Sequence, residues 1–564
     1  MKNFPSFSII LAIVLGVLVL AASLLVVFIT PPLVLRELLG AHLVWGFHIA
    51  AILMLLGCIG CGREFYEIIS KVPRLPLVSL IVILVCGSML VHFAVPRANR
   101  IFFDEQVYEN VALTVANTGE VFRTLEADLQ GGQFKVYRAA YMKQPGGHPY
   151  VLSLFFRVFG PSLEVAHWAN NFLYLFGVVS VFLATLLLFS CSSSAAWAAC
   201  FFALTPVALV WSNTAAAELG AASFSACALA AAGLYARKPR LASALLLTGV
   251  LGIAVHYRPE ALLILLPTFL AVVTIKPLEL RQPRFYWLCL FILLLIVPAI
   301  LHFMAVRESD WGSGGSKFAW AYFLNHLKIN SLYFLNNERF PALFAALAVV
   351  GAALAGPVKV KVVIVVWFAL SWGIFLGFHA GGFIGANERF ALMSSVAVAT
   401  LAGLGTTRLM HLKGRQGFYR WLPMGASIVV GIAWATFYPI LGELNRDVAD
   451  PRNDTNFVHE FAMLVPPRAV VIAHIPGQWL MEGKSVLQAG SIPGNGDYIE
   501  RVLFKRYPGG VYFHWGYWCN LPNSEQFKPC SYLKEKYRLE KLRERDANGQ
   551  HYFLSRVLVR MEDR

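Results

Sequence analysis

Two adjacent carboxylates, Asp104 and Glu105, stand directly after a long apolar segment that ends near Pro96. A carboxylate that faces a cleft can take a proton from a hydroxyl group, which is the role of a general base. The alternative is that Asp104 is the N-cap of a helix, because a side-chain oxygen at that position accepts backbone N–H groups of the first turn. The residue types allow both roles.

The residues that follow the acidic pair predict a helix. Val107, Val111 and Val115 recur at helical spacing, with polar residues between them. Gly119 is expected to end this helix. The acidic pair therefore opens a helix that we expect to lie along the membrane interface.

A basic and aromatic group of residues follows in the same loop. Cations beside acids outside a membrane indicate an anion site, and Lys143 is well placed to reach a phosphate at the level of the lipid headgroups. The alternative for Lys143 is an ordinary lysine that extends to those headgroups. The group consists of Lys135, Tyr137, Arg138, Tyr141, Lys143 and His148.

Further charges stand within or beside apolar segments, where an unpaired charge is unfavourable and often functional. The alternative to a functional role is mutual pairing, for example of Arg258 with Glu260. Glu388 could pair with Arg339 in the same way. These charged residues are Glu218, Arg258, Glu260, Glu388 and Arg389.

The elements that position these residues are mostly membrane helices. Of the 564 residues, 58% are hydrophobic and 14% are charged, whereas soluble proteins are about 45–50% apolar. The net charge of +15 comes from short basic clusters between apolar runs. This is the pattern of cytoplasmic loops in membrane proteins, so nucleic acid is not expected as a partner.

Thirteen apolar runs are long enough to predict membrane-spanning helices. One break is expected at Arg258-Pro259, because proline removes a helical hydrogen bond. With a cytoplasmic N-terminus, the basic loops fall on the cytoplasmic side, and residues 97–164 and everything after Leu441 fall outside. The runs are 7–29, 41–60, 76–95, 165–190, 195–212, 216–235, 241–257, 259–275, 286–305, 341–356, 361–380, 390–406 and 421–441.

The sequence predicts two domains. Residues 1–441 form a polytopic α-helical transmembrane domain, which includes the outer loop 96–164. That loop contains a short interfacial helix with Pro149 in its first turn and Gly160 past its end. Residues 442–564 form an extracytoplasmic soluble domain of α/β or α+β type. Since that compartment is usually oxidising, we expect a disulfide between its two cysteines, Cys519 and Cys530.

The order of these features resembles a known class of membrane enzymes. An Asp-Glu pair follows a spanning segment, an outward loop with Lys and Pro precedes a short helix rich in Tyr and Phe, an acid starts a later helix, and Glu-Arg-Phe opens a late one. This order resembles the GT-C class of glycosyltransferases, and most of all the branch of protein O-mannosyltransferases and lipid A aminoarabinose transferases. The resemblance runs from about Phe102 to Arg420.

The resemblance implies a mechanism and a set of site residues. A sugar carried on a polyprenyl phosphate would move in one inverting displacement to an acceptor hydroxyl. Asp104 would be the catalytic base, Glu105 its supporting neighbour and Glu218 the second acid. The donor phosphate would be bound by Lys143, Arg258, Arg389 and Arg138, and the acceptor by Tyr137, Tyr141 and His148. No cofactor is certain, but Asp104, Glu105 and Glu218 could hold a divalent metal with oxygen ligands.

The partners implied are a polyprenyl-phosphate-linked sugar donor, a glycan, lipid or protein acceptor, and membrane lipids. The implied location is the inner or plasma membrane of a bacterium. A transporter or flippase of a lipid-linked or anionic solute is the alternative, and it predicts paired discontinuous helices with ligands near the membrane midplane. A non-catalytic scaffold is a third reading, in which Asp104 is only a cap.

Overall fold

The computed structural model of the protein describes residues 7–129, 133–309, 315–411, 414–447, 449–492 and 497–560. The chain divides into two compact units. The first unit contains Met1–Arg97, Lys143–His148 and His167–Leu444, and the second contains Ala98–Met142, Pro149–Ala166 and Asn445–Arg564. The sequence predicts one boundary, after residue 441. In the structure most of the outer loop 96–164 also belongs to the second unit.

Helices make up most of the described chain. They are α1 Phe7–Ile29, α2 Pro32–Gly60, α3 Gly62–Ile69, α4 Arg74–Ala94, α5 Phe102–Thr118, α6 Gly147–Phe159, α7 Leu163–Phe189, α8 Ser192–Ala203, α9 Pro206–Ser212, α10 Ala217–Arg237, α11 Leu241–Ala254, α12 Leu265–Ile275, α13 Pro283–Ala305, α14 Trp320–Tyr333, α15 Ala342–Leu354, α16 Val358–Gly373, α17 Leu392–His411, α18 Gly414–Asp447, α19 Ala449–Ala462, α20 Pro476–Met481, α21 Phe504–Arg506 and α22 Lys528–Lys536. Two 3-10 turns carry charged residues of the candidate site, Pro259–Ile264 and Gly385–Ala391.

Each of the thirteen predicted apolar runs coincides with helix. In the part of the chain that the structure describes, nine helices are long and apolar enough to cross a membrane. The pair α8 and α9, bent by 60°, makes a tenth if it counts as one span. The remaining three runs are shorter apolar helices, Leu241–Ala254, Pro259–Ile275 and Ala342–Leu354. The prediction of a polytopic helical membrane protein is therefore confirmed, and so is the break at Arg258-Pro259, where α11 gives way to a 3-10 turn.

Glycines allow helices of the first unit to pack closely. A Cβ atom on Gly249 of α11 would lie 2.3 Å from the backbone nitrogen of Met54 in α2. A Cβ atom on Gly57 of α2 would lie 2.3 Å from the backbone nitrogen of Leu246 in α11. Small residues at helix contacts are the usual means of close approach in membranes. Any larger residue at either glycine would push these two helices apart.

A seven-stranded sheet forms the core of the second unit. Its strand order is β2-β1-β4-β3-β5-β7-β6, in which β4, β3 and β5 are parallel and the other pairs are antiparallel. The strands are β1 Phe122–Asp128, β2 Lys135–Tyr141, β3 Val470–Ala473, β4 Ser485–Gln488, β5 Val511–Trp515, β6 Tyr537–Ala547 and β7 Gln550–Val559. The predicted C-terminal sheet is thus confirmed, and two strands of the outer loop, which were not predicted, extend it.

Two helix-ending glycines and one disulfide of the second unit agree with the sequence predictions. Gly119 ends α5 and Gly160 follows α6, both with positive φ (76° and 84°), a backbone conformation that glycine adopts without steric cost. Cys519 and Cys530 form the predicted disulfide, with a Cα–Cα distance of 5.7 Å. Both cysteines are buried in the apolar core of this unit.

Candidate functional site

Glu218 lies between two arginines in the interior of the first unit. Its Oε1 accepts a hydrogen bond from Arg389 Nε at 2.7 Å and lies 3.1 Å from Arg258 Nη1. All three residues are buried. The structure therefore brings three of the predicted site residues together, with the carboxylate holding both guanidinium groups.

The charges of this cluster are balanced by a second carboxylate. Glu260 Oε1 accepts a hydrogen bond from Arg258 Nε at 3.0 Å, so the pairing considered for Arg258 and Glu260 is confirmed. The ring of Phe390 lies 5.5 Å from the guanidinium carbon of Arg258 and 4.6 Å from that of Arg389. Because carboxylates and an aromatic ring contact the guanidinium groups, each arginine is held in one orientation.

Buried amide side chains hold the turn that positions Glu218. Glu218 is the second residue of α10, where an acid also interacts favourably with the helix dipole. Asn213 Nδ2, just before α10, donates to the carbonyl oxygen of Val95 at 2.6 Å. Asn170 Nδ2 of α7 donates to that of Ala216 at 2.8 Å. The turn is thus tied to α4 and α7, which fixes the direction of the Glu218 side chain.

The 3-10 turn that carries Arg389 also carries the acid of a second ion pair. Glu388 Oε1 lies 2.9 Å from Arg339 Nη1, so the pairing considered for these two residues is confirmed. The same arginine nitrogen lies 2.8 Å from Glu443 Oε2. Since Glu388 and Arg389 are adjacent, this network and the Glu218 cluster restrain one short segment of backbone.

The segment from Lys143 to His148 belongs to the first unit. His148 is only 1% exposed, and its Nε2 donates to the carbonyl oxygen of Ala215 at 2.8 Å. Burial lowers the pKa of His148 to about 4, although the hydrogen bond to Ala215 opposes this, so the imidazole is neutral at pH 7. Lys143 is half-buried, and its carbonyl oxygen accepts a hydrogen bond from His302 Nε2 at 3.2 Å. His148 thus fixes the segment to the turn before α10.

The acidic pair lies in the second unit, at the start of α5. The N-cap position is occupied by Ile101, without a side-chain cap, and Asp104 is the third helical residue. The alternative that Asp104 is the N-cap is therefore wrong. Asp104 is partly exposed, whereas Glu105 is fully buried and interacts electrostatically with the buried guanidinium of Arg100. Asp104 is consequently the more accessible acid of the pair.

The helix that carries Asp104 is fixed to the sheet of its own unit. Asn110 Oδ1 accepts a hydrogen bond from the Thr124 backbone N–H at 2.7 Å, and Asn110 Nδ2 donates to the Thr124 carbonyl oxygen at 3.1 Å. On the other side, a Cβ atom on Gly477 of α20 would lie 3.1 Å from Asn110 Cβ. The orientation of α5 therefore depends on both β1 and the C-terminal part of the chain.

Glu109 is a buried acid that sequence reasoning missed. It stands four positions after Glu105, a spacing that places both residues on one helix face and could have drawn attention to it. Its Oε1 accepts a hydrogen bond from Asn99 Nδ2 at 2.9 Å. Burial raises the pKa of Glu109 to about 8, although this hydrogen bond opposes the change.

We expect Glu109 to make the protein less stable as pH rises from about 4.5, its ordinary pKa, to about 8. In this range the folded state retains a proton that the unfolded state has released, so stability falls with rising pH. Glu109→Gln keeps an acceptor for Asn99 but does not titrate. In detergent solution it should melt higher than wild type at pH 8, by an amount equivalent to a few kcal/mol, and like wild type at pH 4.5.

The control for this pH series is Glu120→Gln, at an exposed carboxylate just past the end of α5. This variant should follow the wild-type pH dependence. A Glu109→Gln profile that also parallels wild type would show that Glu109 titrates as an ordinary carboxyl.

The predicted residues of the outer loop lie on β2 and contact their own sheet. Arg138 Nε lies 3.3 Å from the fully buried Glu126 carboxylate and its guanidinium carbon 4.2 Å from the centre of the Tyr498 ring. Arg506 also pairs with Glu126, at 2.8 Å, and lies over the ring of Tyr137. The strand carries Tyr137, Arg138 and Tyr141, all half-buried. Sequence reasoning missed Glu126, whose partners are 12 to 380 residues away.

Two groups of described side chains are close enough to share a metal ion, and neither is the predicted acidic set. One contains His474 and the two cysteines of the disulfide, whose sulfurs are not thiolates and so do not bind zinc as thiolate ligands. The other is exposed and consists of Glu544, Asp546 and His551. Glu218 does not fit a divalent cation, because the two guanidinium groups beside its carboxylate would repel it.

Comparisons with known proteins give one match to a family model. Residues 143–302, which include Lys143, Glu218 and Arg258, match the family model described as dolichyl-phosphate-mannose-protein mannosyltransferase. No curated protein matches the sequence.

Solved structures resemble the chain over most of its length. The structure of ArnT from Cupriavidus metallidurans bound to undecaprenyl phosphate has a TM-score of 0.54 and 13% identity, over 84% of this chain and 97% of that one. The apo structure of the same protein has a TM-score of 0.52 and 14% identity over the same shares. The Archaeoglobus fulgidus oligosaccharyltransferase in the apo form has a TM-score of 0.45 and 13% identity, over 85% and 74%.

Proposed function

We propose that this chain is a membrane glycosyltransferase of the GT-C fold. In this proposal it moves a sugar from a polyprenyl-phosphate carrier to an acceptor hydroxyl on the extracytoplasmic side. The observation that carries the proposal is the buried pair of arginines held by Glu218. A guanidinium group presents a planar fork of N–H donors that matches phosphate oxygens. Two of them in fixed orientation suit a phosphate that gains charge as it leaves.

The proposed reaction is a single displacement. The acceptor oxygen attacks the anomeric carbon, the bond from that carbon to the phosphate oxygen breaks, and its electron pair leaves with the phosphate. Asp104 takes the acceptor proton, a role for which its partial exposure suits it better than the buried Glu105. Because the new bond forms on the face opposite the phosphate, the anomeric configuration is inverted.

The remaining predicted residues divide by their contacts. Lys143 adds a third cation for the donor phosphate in the first unit, and Glu218 serves by holding the two arginines. Arg138 is not part of this proposal, since its guanidinium group pairs with Glu126 and lies over the ring of Tyr498. Tyr137 and Tyr141 remain proposed acceptor contacts, and His148 is proposed to position the Lys143 segment.

The transporter alternative finds less support in the helices. It predicts a matched pair of broken spans. The described residues contain one bent pair of span length, α8 and α9, and the break at Arg258-Pro259 joins two shorter apolar helices that do not match it. We therefore favour the transferase.

Mass spectrometry of lipid-linked sugars and envelope glycans tests the function. In bacteria that lack the gene, one polyprenyl-phosphate sugar should accumulate and one glycan should lose a single sugar residue. The purified protein should release polyprenyl phosphate from the accumulated lipid when acceptor is present. A transporter would leave the sugar-phosphate bond intact in this purified reaction, and an unchanged profile of both pools would contradict the proposal.

Topology is tested by single cysteines in a background without the seven free cysteines. Cysteines at Gly62 and Gln282 should be protected from an impermeant thiol reagent, because both stand in basic loops expected in the cytoplasm. Gly62 has open space for a side chain. Cysteines at Gln133 and Gln550 should be labelled. Labelling at Gly62 together with protection at Gln133 would invert the orientation.

A further inference from the structure

The second unit has a cavity at the carboxyl ends of its parallel strands. The chain enters at the central strand β3, continues to β4 on one side, and then forms β5 on the other side of β3. The strand order thus reverses between β3 and β5. In open α/β sheets, ligands bind outside the carboxyl ends of the strands at such a point. His474 directly follows β3, Gln488 ends β4, and Trp518 follows β5.

The cavity has the size and lining of a small-molecule site. Its volume is about 420 Å³, within the range of about 300–1,000 Å³ that such sites have. Phe103 and Trp518 form an aromatic corner, edge to face, with 6.4 Å between ring centres. His474 Nε2 donates to the carbonyl oxygen of Gln526 at 2.7 Å, which fixes one side of the wall. Polar groups of Gln488 and Glu525 complete it.

The lining favours an uncharged ligand with hydroxyl groups. Among the described residues, the cavity wall contains no lysine or arginine, and the neighbouring Lys528 is paired with the wall residue Glu525 at 2.6 Å, so the wall has no excess positive charge for a phosphate. The face of an indole or phenyl ring packs against the apolar C–H face of a pyranose. Amide and carboxylate groups accept hydrogen bonds from hydroxyls, and the amide also donates them. Aromatic rings together with amide and carboxylate groups in one cavity are what a sugar ring requires.

We propose that this cavity binds a neutral sugar ring, with Trp518 as the stacking surface. The inference rests on the proposed glycosyltransferase function and adds a sugar site in the second unit. Phe103 is the residue immediately before Asp104 in α5, so the helix that carries the proposed base also contributes one wall of the cavity. The ring belongs either to the acceptor glycan or to the sugar that is transferred.

Saturation-transfer NMR on the full-length protein tests the site, in a detergent without a sugar headgroup. The probes are methyl α-D-mannopyranoside, methyl β-D-glucopyranoside and methyl β-D-galactopyranoside. At least one should receive saturation on its ring protons. Trp518→Ala should weaken binding about ten-fold or more, as loss of an aromatic stacking partner does for nucleobases, and Trp518→Phe should restore part of it. The matched control is Trp320→Ala, at an exposed tryptophan of the first unit.

Gln488→Ala is a second variant for the case that Trp518→Ala does not fold, as judged by melting and by retention of the Cys519–Cys530 disulfide. Excess of the lipid-linked sugar that accumulates in cells without the gene separates the two sources of the ring: displacement of the probe assigns the cavity to the transferred sugar, and retention assigns it to the acceptor. No transfer to any probe, or equal transfer in wild type, Trp518→Ala and Gln488→Ala, overturns the proposal. Binding is measured without turnover, so failure here is distinguishable from a lack of transferase activity.

Discussion

Replacement of Asp104 by asparagine is expected to lower the rate of sugar transfer at saturating donor by about 10²–10⁴-fold, the usual contribution of a general base. Asparagine keeps the size of the side chain but cannot take the acceptor proton. Since Asp104 is not the N-cap of α5, the substitution removes no side-chain cap, and the loss of the interaction of an acid with the helix dipole costs about 0.3–1 kcal/mol. The variant should therefore melt close to wild type, which thermal unfolding of the purified protein checks.

Two further variants separate the roles of the charged groups. Glu120→Gln, at an exposed carboxylate near the other end of the same helix, should transfer sugar at the wild-type rate. Lys143→Ala should raise KM for the donor with a smaller change in kcat, because it removes a cation from the phosphate and not the base. If Asp104→Asn transfers at the wild-type rate with saturating donor, the base must be Glu105 or Glu218, or the enzyme proposal must be abandoned.

Glu218→Gln is expected to destabilise the first unit by about 3–5 kcal/mol, the usual cost of removing one partner from a buried ion pair. The substitution keeps the shape of the side chain but removes the negative charge between Arg258 and Arg389. The two guanidinium groups then repel each other in a buried site. Thermal unfolding in detergent should show a lower melting temperature, and KM for the donor should rise because the arginines are no longer held together.

Glu260→Gln is the matched control, since Glu260 lies in the same cluster and pairs with Arg258. We expect its effect to be smaller, because the carboxylate of Glu218 remains between the arginines. The pair of variants also tests the role first expected for Glu218. A second catalytic acid would give a lower kcat with unchanged melting in Glu218→Gln, and that result would contradict a positioning role.

The helical part of the fold could be predicted because its signals are local. An apolar run of sufficient length predicts a spanning helix wherever it occurs, and the break at Arg258-Pro259 follows from proline alone. The ends of α5 and α6 follow from Gly119 and Gly160. The strands β1 and β2 escaped prediction because their partner is remote: Ala127 pairs with Val486, and no nearby pattern indicates this.

In the candidate site, too, contacts between residues close in the sequence could be predicted and contacts between remote residues could not. The pairing of Arg258 with Glu260 could be proposed because the residues are two positions apart. The contact of Glu218 with Arg389 joins residues 171 positions apart, and only the packing of α10 against the turn before α17 brings them together. Burial also changes roles that residue type suggests. His148 is a hydrogen-bond donor to a carbonyl oxygen and has no exposed imidazole for an acceptor.

The sheet of the second unit sets an order for biosynthesis. The Asp128 side chain accepts a hydrogen bond from Ser485 Oγ, 357 residues further along the chain. A ribosome adds about 5–20 residues per second, so β1 emerges roughly 20–70 s before β4, its second neighbour in the sheet. During that interval its edge is open to other chains, which is a hazard for an unpaired strand. A nascent chain that stops before β4 cannot complete the sheet against which α5 is fixed, so an incomplete product has no properly positioned Asp104.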